Sequence, residues 1–458
     1  MICLTEYNYN IKLLFSIEKE TLALNKKKSY KEFLSPFMLV IFLTITCILL
    51  SINFLHKQDA ALGENIFETF IFWKDGFFSL MGFTLQMMMI LVLGYCLAVV
   101  KPIHFALKRI SKYPKSQMQG VLFVGGITMI AGIINWGFGL IIGALFARFV
   151  TIAQQEKGLE SNPALLASAG YLGMAVWHGG LSASAPLKAA EKGHFLEDII
   201  GVIPITETVF TSFNFLVIFG LGLVYLITLG LLAKGKTKGI KKIRAHPLRP
   251  IPVGDEDYIG RTVGIVIILV AILSLVKTEA GLSLSLDLNT VNFLLFGITL
   301  FAYRSLPKFT EAIGEGIRSS ADIFIQFPFY AGILGVLTSS GVLDVLSSQI
   351  IEIASRETLP VFTLLSSAFV NLVVPSGGGQ WAVQGPVLME SAKALDLPIG
   401  KIILVFSYGD QLTNLLQPFW ALPLLSITGV SAPEVLKYTF WLFLASLVYM
   451  VFVAIFFI

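Results

Sequence analysis

Three consecutive glycines and two prolines sit inside an otherwise apolar run, Asn371-Leu-Val-Val-Pro-Ser-Gly-Gly-Gly-Gln-Trp381, which continues through Ala382-Val-Gln-Gly-Pro386. Glycine permits φ > 0 and leaves its N–H exposed, and proline stops or bends a helix. At bilayer depth a non-helical backbone survives only where protein buries it or where it faces a watery cavity. Transporters place such breaks where half-helices meet and small ligands bind. The competing use of glycine is close helix packing, which calls for small residues a turn apart rather than a contiguous triplet.

The membrane setting follows from composition. Hydrophobic residues make up 55% of the 458 and charged residues 14%, against roughly 25% charged in soluble domains. The net charge of +4 does not make a nucleic-acid face. Lysines and arginines cluster in short loops between apolar runs, where they set orientation in a membrane. Cys3, Cys47 and Cys96 form no disulfide framework, the last two lying in apolar segments.

Residues 1–33 read as a cytoplasmic tail, with Lys26, Lys27, Lys28 and Lys31 ahead of a first span at 34–55. That run is too long for a signal-peptide core. After a connector of mixed charge at 56–78, a span at 79–100 returns to the cytoplasm at Lys101, Lys108, Arg109, Lys112 and Lys115. Residues 120–150, interrupted at Asn135-Trp-Gly-Phe-Gly139, read as a re-entrant hairpin, and 162–190 as a broken span. A span at 208–233 leads to the most basic linker, 234–259. Further spans are expected at 260–277, 287–304 and 320–341, then an interrupted hairpin at 358–387, a broken span at 401–430 and a final span at 438–458.

Two halves emerge, 34–233 and 287–458, with 260–286 as an extra span and loop. Asn135 and Tyr171 are 36 positions apart, Asn371 and Tyr408 37; Tyr171 to Pro186 and Tyr408 to Pro423 both span 15. Four spans in the first half and one between give the second half the opposite sense. The expected fold is an all-α polytopic membrane protein of two inverted-topology repeats, with about nine crossings and two re-entrant hairpins. Such symmetry places a ligand near the bilayer midplane and favours alternating access.

Pro375-Ser-Gly-Gly-Gly-Gln-Trp-Ala-Val-Gln-Gly-Pro386, Ser407-Tyr-Gly-Asp-Gln-Leu-Thr-Asn414 and Gln417-Pro-Phe-Trp-Ala-Leu-Pro423 resemble the bacterial short-chain fatty acid transporter family. Asn135-Trp-Gly-Phe-Gly-Leu-Ile-Ile-Gly-Ala144 and Trp177-His-Gly-Gly-Leu-Ser-Ala-Ser184 fit the same pattern. The resemblance covers about residues 34–458. It implies uptake of acetoacetate, butyrate or similar small carboxylates across the cytoplasmic membrane, and it supplies no residue roles.

Those roles come from chemistry. A small carboxylate needs donors and a positive field at one end and an apolar wall at the other. N–H groups of Ser376, Gly377, Gly378 and Gly379, and of Gly137 to Gly139, at the starts of half-helices, offer the first. Asn135, Asn371, Gln380, Thr413 and Asn414 add side-chain donors or acceptors. Trp381, Trp136, Phe419 and Trp420 are candidates for the wall. Arg148 ends the first hairpin and is expected to snorkel to the cytoplasmic surface.

Asp410 and His178 lie in equivalent broken spans. A charge at bilayer depth costs at least ~2.5 kcal/mol and marks an ion or proton pathway. Histidine titrates near neutral pH, though a neutral packing role for His178 is equally open; Glu207 is a weaker candidate. The coupling ion is a proton or sodium, with a lone acidic residue and short-chain acids favouring the proton.

Gly230-Leu-Leu-Ala-Lys-Gly-Lys-Thr237 matches the phosphate-binding loop pattern, but such a loop must join a strand to a helix, whereas Gly230 ends a span. No His-Glu-x-x-His zinc pattern occurs, and neither metal nor cofactor is expected. A membrane-embedded acyl or lipid enzyme would draw on Asp410, His178 and Ser182. A channel would need rings of charge or filter repeats that the sequence lacks. Homodimer formation is left open.

Overall fold

A computed structural model describes residues 36–56, 62–235, 257–278, 281–282, 286–373, 376–417 and 420–457. The N-terminal tail, most of the basic linker and Phe419 lie outside them. With no water in the hydrocarbon, each chain segment must satisfy its own backbone groups, and nearly every described segment is helical. A two-residue antiparallel pair, Lys277–Thr278 against Gly281–Leu282, is the exception.

The helices are α1 (Pro36–His56), α2 (Leu62–Gly76), α3 (Met81–Val99), α4 (Lys101–Ile110), α5 (Gln117–Ile134), α6 (Trp136–Glu156), α7 (Pro163–Gly170), α8 (Ser184–Ala189) and α9 (Ser212–Ala233). After α10 (Tyr258–Val276) come α11 (Leu288–Tyr303), α12 (Leu306–Ser319), α13 (Ala321–Ser339), α14 (Val342–Ile353), α15 (Leu359–Val373), α16 (Gly377–Ala394), α17 (Ile399–Thr413), α18 (Leu422–Thr428) and α19 (Ala432–Phe456). Among the described residues six helices, α3, α5, α6, α9, α10 and α19, are long and apolar enough to cross a membrane, with a seventh if α12 and α13, bent by 50° to each other, are one span. At 1.5 Å per residue, 18 to 25 residues span about 27–38 Å, enough for a hydrocarbon core of ~30 Å.

Burial sorts these helices into layers. In α6, 83% of the apolar window is enclosed, against 17% in α10, so α6 lies at the centre and α10 at the rim. Phe215, Leu216, Phe219 and Ile227 of α9 and Val448 and Phe452 of α19 point outward, as lipid-facing side chains should. Cross-packing ties the halves together. Helices α1 and α2 rest on α13, while α11 and α12 rest on α3. Likewise α18 packs on α6, and α8 on α16.

Four helices fall where the sequence reading placed connectors: α2, α4, α12 and α14. Each mixes charge with an apolar stripe, such as Lys101, Lys108 and Arg109 against Leu107 in α4. That pattern suits a helix at an interface and is masked when only long apolar runs are sought. The interrupted segment expected at 120–150 becomes two full-length helices, α5 and α6, packed on each other. Both have membrane-crossing length.

Candidate functional site

The break between α5 and α6 is a single extended residue, Asn135 (φ −157°, ψ 128°). Its Oδ1 accepts from the Phe138 N–H at 2.8 Å, capping α6, and its Nδ2 donates to the Ile90 carbonyl at 3.1 Å. An asparagine N-cap satisfies one of the orphan donors of a helix start. The Trp136 N–H donates to Ser182 Oγ at 2.9 Å, tying this break to the first broken segment. Ser376 caps α16 in the same way, accepting from the Gly379 N–H at 3.2 Å.

Two broken segments meet between these breaks. Past α7 the chain makes short 3-10 turns at Leu172–Ala175 and Trp177–Gly179 before α8; past α17 it makes one at Asn414–Leu416 before α18. His178 and Asp410, one from each, join at 2.7 Å, Nδ1 to Oδ2, both buried. On the other side of the ring, Nε2 lies 2.8 Å from Ser184 Oγ and receives the Ala185 N–H at 3.3 Å. An Nε2 that accepts from a backbone N–H leaves the ring proton on Nδ1, where it is donated to Asp410. Gln411 Oε1 accepts from the His178 N–H at 3.0 Å, and the Trp177 ring stacks on the imidazole at 4.2 Å. Asp410 Oδ1 is buried and accepts no hydrogen bond from the described residues.

Asn371 is the hub of the second break. Its Nδ2 donates to the Asp410 carbonyl at 2.7 Å, to Thr413 Oγ1 at 3.0 Å and to Asn414 Oδ1 at 3.1 Å. Gln417 Nε2 closes the ring on the Asn371 carbonyl. Thr413 donates to the Ala368 carbonyl at 2.9 Å, and Asn414 Nδ2 to Met174 across the interface at 3.0 Å.

Beside the imidazole lies a chamber walled by Trp136, Trp177, Trp420, Met87, Met174, Ile323 and Phe327, with Ser376, Gly377 and Asn414 as its polar face. Its volume is about 20 Å³, room for about one water. The Trp136 ring meets Trp420 at 5.2 Å and Trp177 at 6.1 Å. The chamber is closed, and any solute larger than a water needs the aromatic walls to part.

Of the residues singled out from sequence, Ser376, Gly377, Asn414, Trp136 and Trp420 line this chamber, and His178 and Asp410 flank it. Others lie away from it. Trp381 is fully buried against Phe406 at 5.0 Å, and Gln380 Nε2 donates to the Ser367 carbonyl at 2.8 Å. A Cβ on Gly137 would touch Leu91 at 3.1 Å, and one on Gly139 would strike Gly132 at 2.6 Å.

The glycine triplet is itself tightly packed, contrary to the spacing argument above, because each member faces a different neighbour. A Cβ on Gly377 would lie 2.8 Å from His178 Cε1, on Gly378 2.9 Å from Phe83 Cζ, and on Gly379 2.4 Å from Tyr330 Cδ2. Arg148 does not snorkel; it is buried, and its Nη1 donates to the Ile427 carbonyl at 2.6 Å. A cation at the end of α18 neutralises the helix's negative pole. Glu207 is exposed and outside the site. Sequence reasoning missed Ser184 and Gln411, whose value depends on contacts across the two segments. It also passed over Lys188, a cation visible inside the first broken segment.

Membrane-length helices around a closed chamber, with two broken segments joined by a buried acid–imidazole contact, define a multi-pass membrane protein built as a transporter. The chain belongs to the short chain fatty acid transporter family, whose sequence model matches residues 25–458. It is 35% identical over 379 residues to a protein of Escherichia coli K12 described as "Putative short-chain fatty acid transporter", covering 80% of this chain and 84% of that one. A Haemophilus influenzae protein of the same description is 34% identical over 387 residues, covering 80% and 85%. In fold the chain is similar to the Alcanivorax borkumensis YdaH transporter, whose topology is described as unusual (TM-score 0.60, 13% identity, 92% of this chain and 98% of that one). It is also similar to Neisseria gonorrhoeae MtrF, described with a class of antimetabolite efflux pumps (TM-score 0.55, 15% identity, 92% and 96%).

Proposed function

We propose that the protein imports short-chain monocarboxylates, such as acetoacetate or butyrate, across the bacterial cytoplasmic membrane by proton symport with alternating access. The observation that carries this reading is the His178–Asp410 contact, which joins the two broken segments beside the chamber. A proton arriving on this pair changes the charge at the seam between them, and Asp410 Oδ1 is an acceptor still to be used. Ser376, Gly377 and Asn414 would meet the carboxylate, and the tryptophans its carbon chain. The alternative ion, sodium, would need oxygens that converge on a cation. The Asp410 carbonyl, Thr413 Oγ1 and Asn414 Oδ1 do converge, but on the Asn371 amide nitrogen, as assigned by the surrounding hydrogen bonds. That favours the proton.

Alternating access draws support from element order. Helices α1–α9 and α11–α19 follow the same sequence of long, interfacial, paired and broken pieces, with α10 between. Their cross-packing is reciprocal, as a two-fold axis requires. We read the copies as inverted, with α5/α6 and α15/α16 as hairpins from opposite faces and residue 240 in the cytoplasm. A reporter active only in the cytoplasm should be silent after residue 458 and active at residue 240. Activity at both positions would remove the inverted arrangement.

A second reading has one geometric point in its favour: Ser184, His178 and Asp410 are hydrogen-bonded in the order of a hydrolase triad. Ser184 is fully enclosed, however, and Nε2 already receives the Ala185 N–H, so the base faces a packed backbone and no substrate space. Ser182, the serine the sequence offered, is spent on the Trp136 N–H. Purified protein in vesicles separates the readings. An inward proton gradient without sodium should concentrate labelled butyrate, recovered unchanged. Accumulation only with a sodium gradient would move the coupling ion to sodium, and chemical conversion of the solute would establish the enzyme.

A further inference from the structure

Outside the chamber, a second polar cluster already holds a carboxylate. Glu191, on the bend after α8, receives Lys188 Nζ at 3.0 Å on Oε2, Gln86 Nε2 at 3.0 Å on both oxygens and Asn289 Nδ2 at 3.2 Å on Oε1. Three donors from α8, α3 and α11 thus converge on one carboxylate. Lys188 is buried, with its side chain 10% exposed, and its ammonium lies 5.3 Å above the Phe83 ring. The Glu191 side chain is 17% exposed and Asn289 is on the surface. Asn289 also borders a cleft of about 580 Å³ that opens outward past Thr290, Asn292 and Phe293.

This cluster is one ring away from the chamber. Phe83 meets Phe327 at 5.7 Å, and Phe327 is part of the chamber wall. Phe83 also abuts Gly378, next to the chamber-lining Gly377. A chain of contacts therefore links the cleft, through Asn289, Gln86 and Lys188, to the Phe83–Phe327 pair. It lies near the ends of α3 and α11 that are remote from Lys101, Lys108, Arg109 and Arg304, hence on the outer side under the positive-inside rule.

We infer that Lys188, with Gln86 and Asn289, is the outer station that receives the substrate carboxylate, and that Glu191 occupies it as an internal stand-in until an incoming acid displaces it. This rests on the carboxylate reading above. A buried ammonium held only for structure is a costly device, because desolvating both partners offsets most of their attraction. A donor set open at one edge to a cleft has a use when the carboxylate can be exchanged. Burial pushes the pKa of nearby His194 below the ordinary range.

The test is butyrate exchange in right-side-out and inside-out membrane vesicles loaded with unlabelled butyrate. Lys188→Gln should raise KM for acid presented at the outer face about tenfold or more, with little change in maximal rate or in KM at the inner face. Glu191→Gln should lower the outer KM, because the competitor for Lys188 is gone. The double variant should resemble Lys188→Gln. An unchanged outer KM in Lys188→Gln, equal effects at both faces, or wild-type behaviour of the double variant makes the pair structural and overturns the proposal. If Lys188→Gln fails to reach the membrane, Glu191→Gln alone decides, and an outer KM that does not fall is the overturning result. Failure of the wild type to exchange butyrate would instead count against the carboxylate reading.

Discussion

Asp410→Asn is expected to abolish uphill accumulation of the acid while exchange of internal for external acid continues within about threefold of wild type. The amide can still face His178 Nδ1, so the 2.7 Å contact and the seam between the broken segments survive; what disappears is a group able to take up a proton. For one proton per acid, a one-unit inward pH gradient supports about tenfold accumulation, and a variant without the proton site should level off at no accumulation. Exchange requires no net proton movement and so remains. The electrical argument points the same way: a lone anion entering a negative interior pays ~2.3 kcal/mol per 100 mV, which one accompanying proton removes. Counterflow and gradient-driven uptake measured on the same vesicles give both numbers. Uphill accumulation by Asp410→Asn would make Asp410 structural and move the test to His178. Loss of exchange together with accumulation would mean that the carboxylate holds the seam rather than the proton.

The broken segments were legible in the sequence because their signals are local. Asn135 and Ser376 cap the helices that follow them, and glycine, proline and polar residues crowd the stretches after Tyr171 and Tyr408. His178 and Asp410 stood out as ionisable groups in equivalent broken spans, but their 2.7 Å contact, across 232 positions, did not. Contacts made across the bundle were not legible. Arg148 looked like an interfacial cation because its partner, the Ile427 carbonyl, is 279 positions away. The glycine triplet looked like a ligand loop because Phe83, His178 and Tyr330, which fill its surface, come from three other segments. Helices α2, α4, α12 and α14 escaped because an interfacial helix carries its charge in the sequence and its apolar stripe only in three dimensions.

Gly377→Ala should damage coupled uptake more than Gly378→Ala, lowering it by about tenfold or more while the protein still inserts. The added carbon would lie 2.8 Å from His178 Cε1, 3.0 Å from Ser184 Oγ and 3.0 Å from Trp177 Cη2. The imidazole cannot yield freely, because Asp410 holds one nitrogen and Ser184 with Ala185 the other. Relief therefore costs either the acid–imidazole contact or the tryptophan wall of the chamber. Overpacking of this kind costs about 1–3 kcal/mol, more than the up to ~1 kcal/mol that alanine gains over glycine inside a helix. At Gly378 the nearest atoms are the ring tips Phe83 Cζ at 2.9 Å and Phe327 Cζ at 3.2 Å, neither part of the acid–imidazole contact, so Gly378→Ala should be milder. Gly63→Ala, with nothing within 4 Å, should behave as wild type. Initial rates of proton-driven butyrate uptake, normalised to protein in the membrane, rank the three. If Gly377→Ala transports like Gly63→Ala, the imidazole is free to move away from Asp410 without loss, and the coupling role assigned to their contact fails.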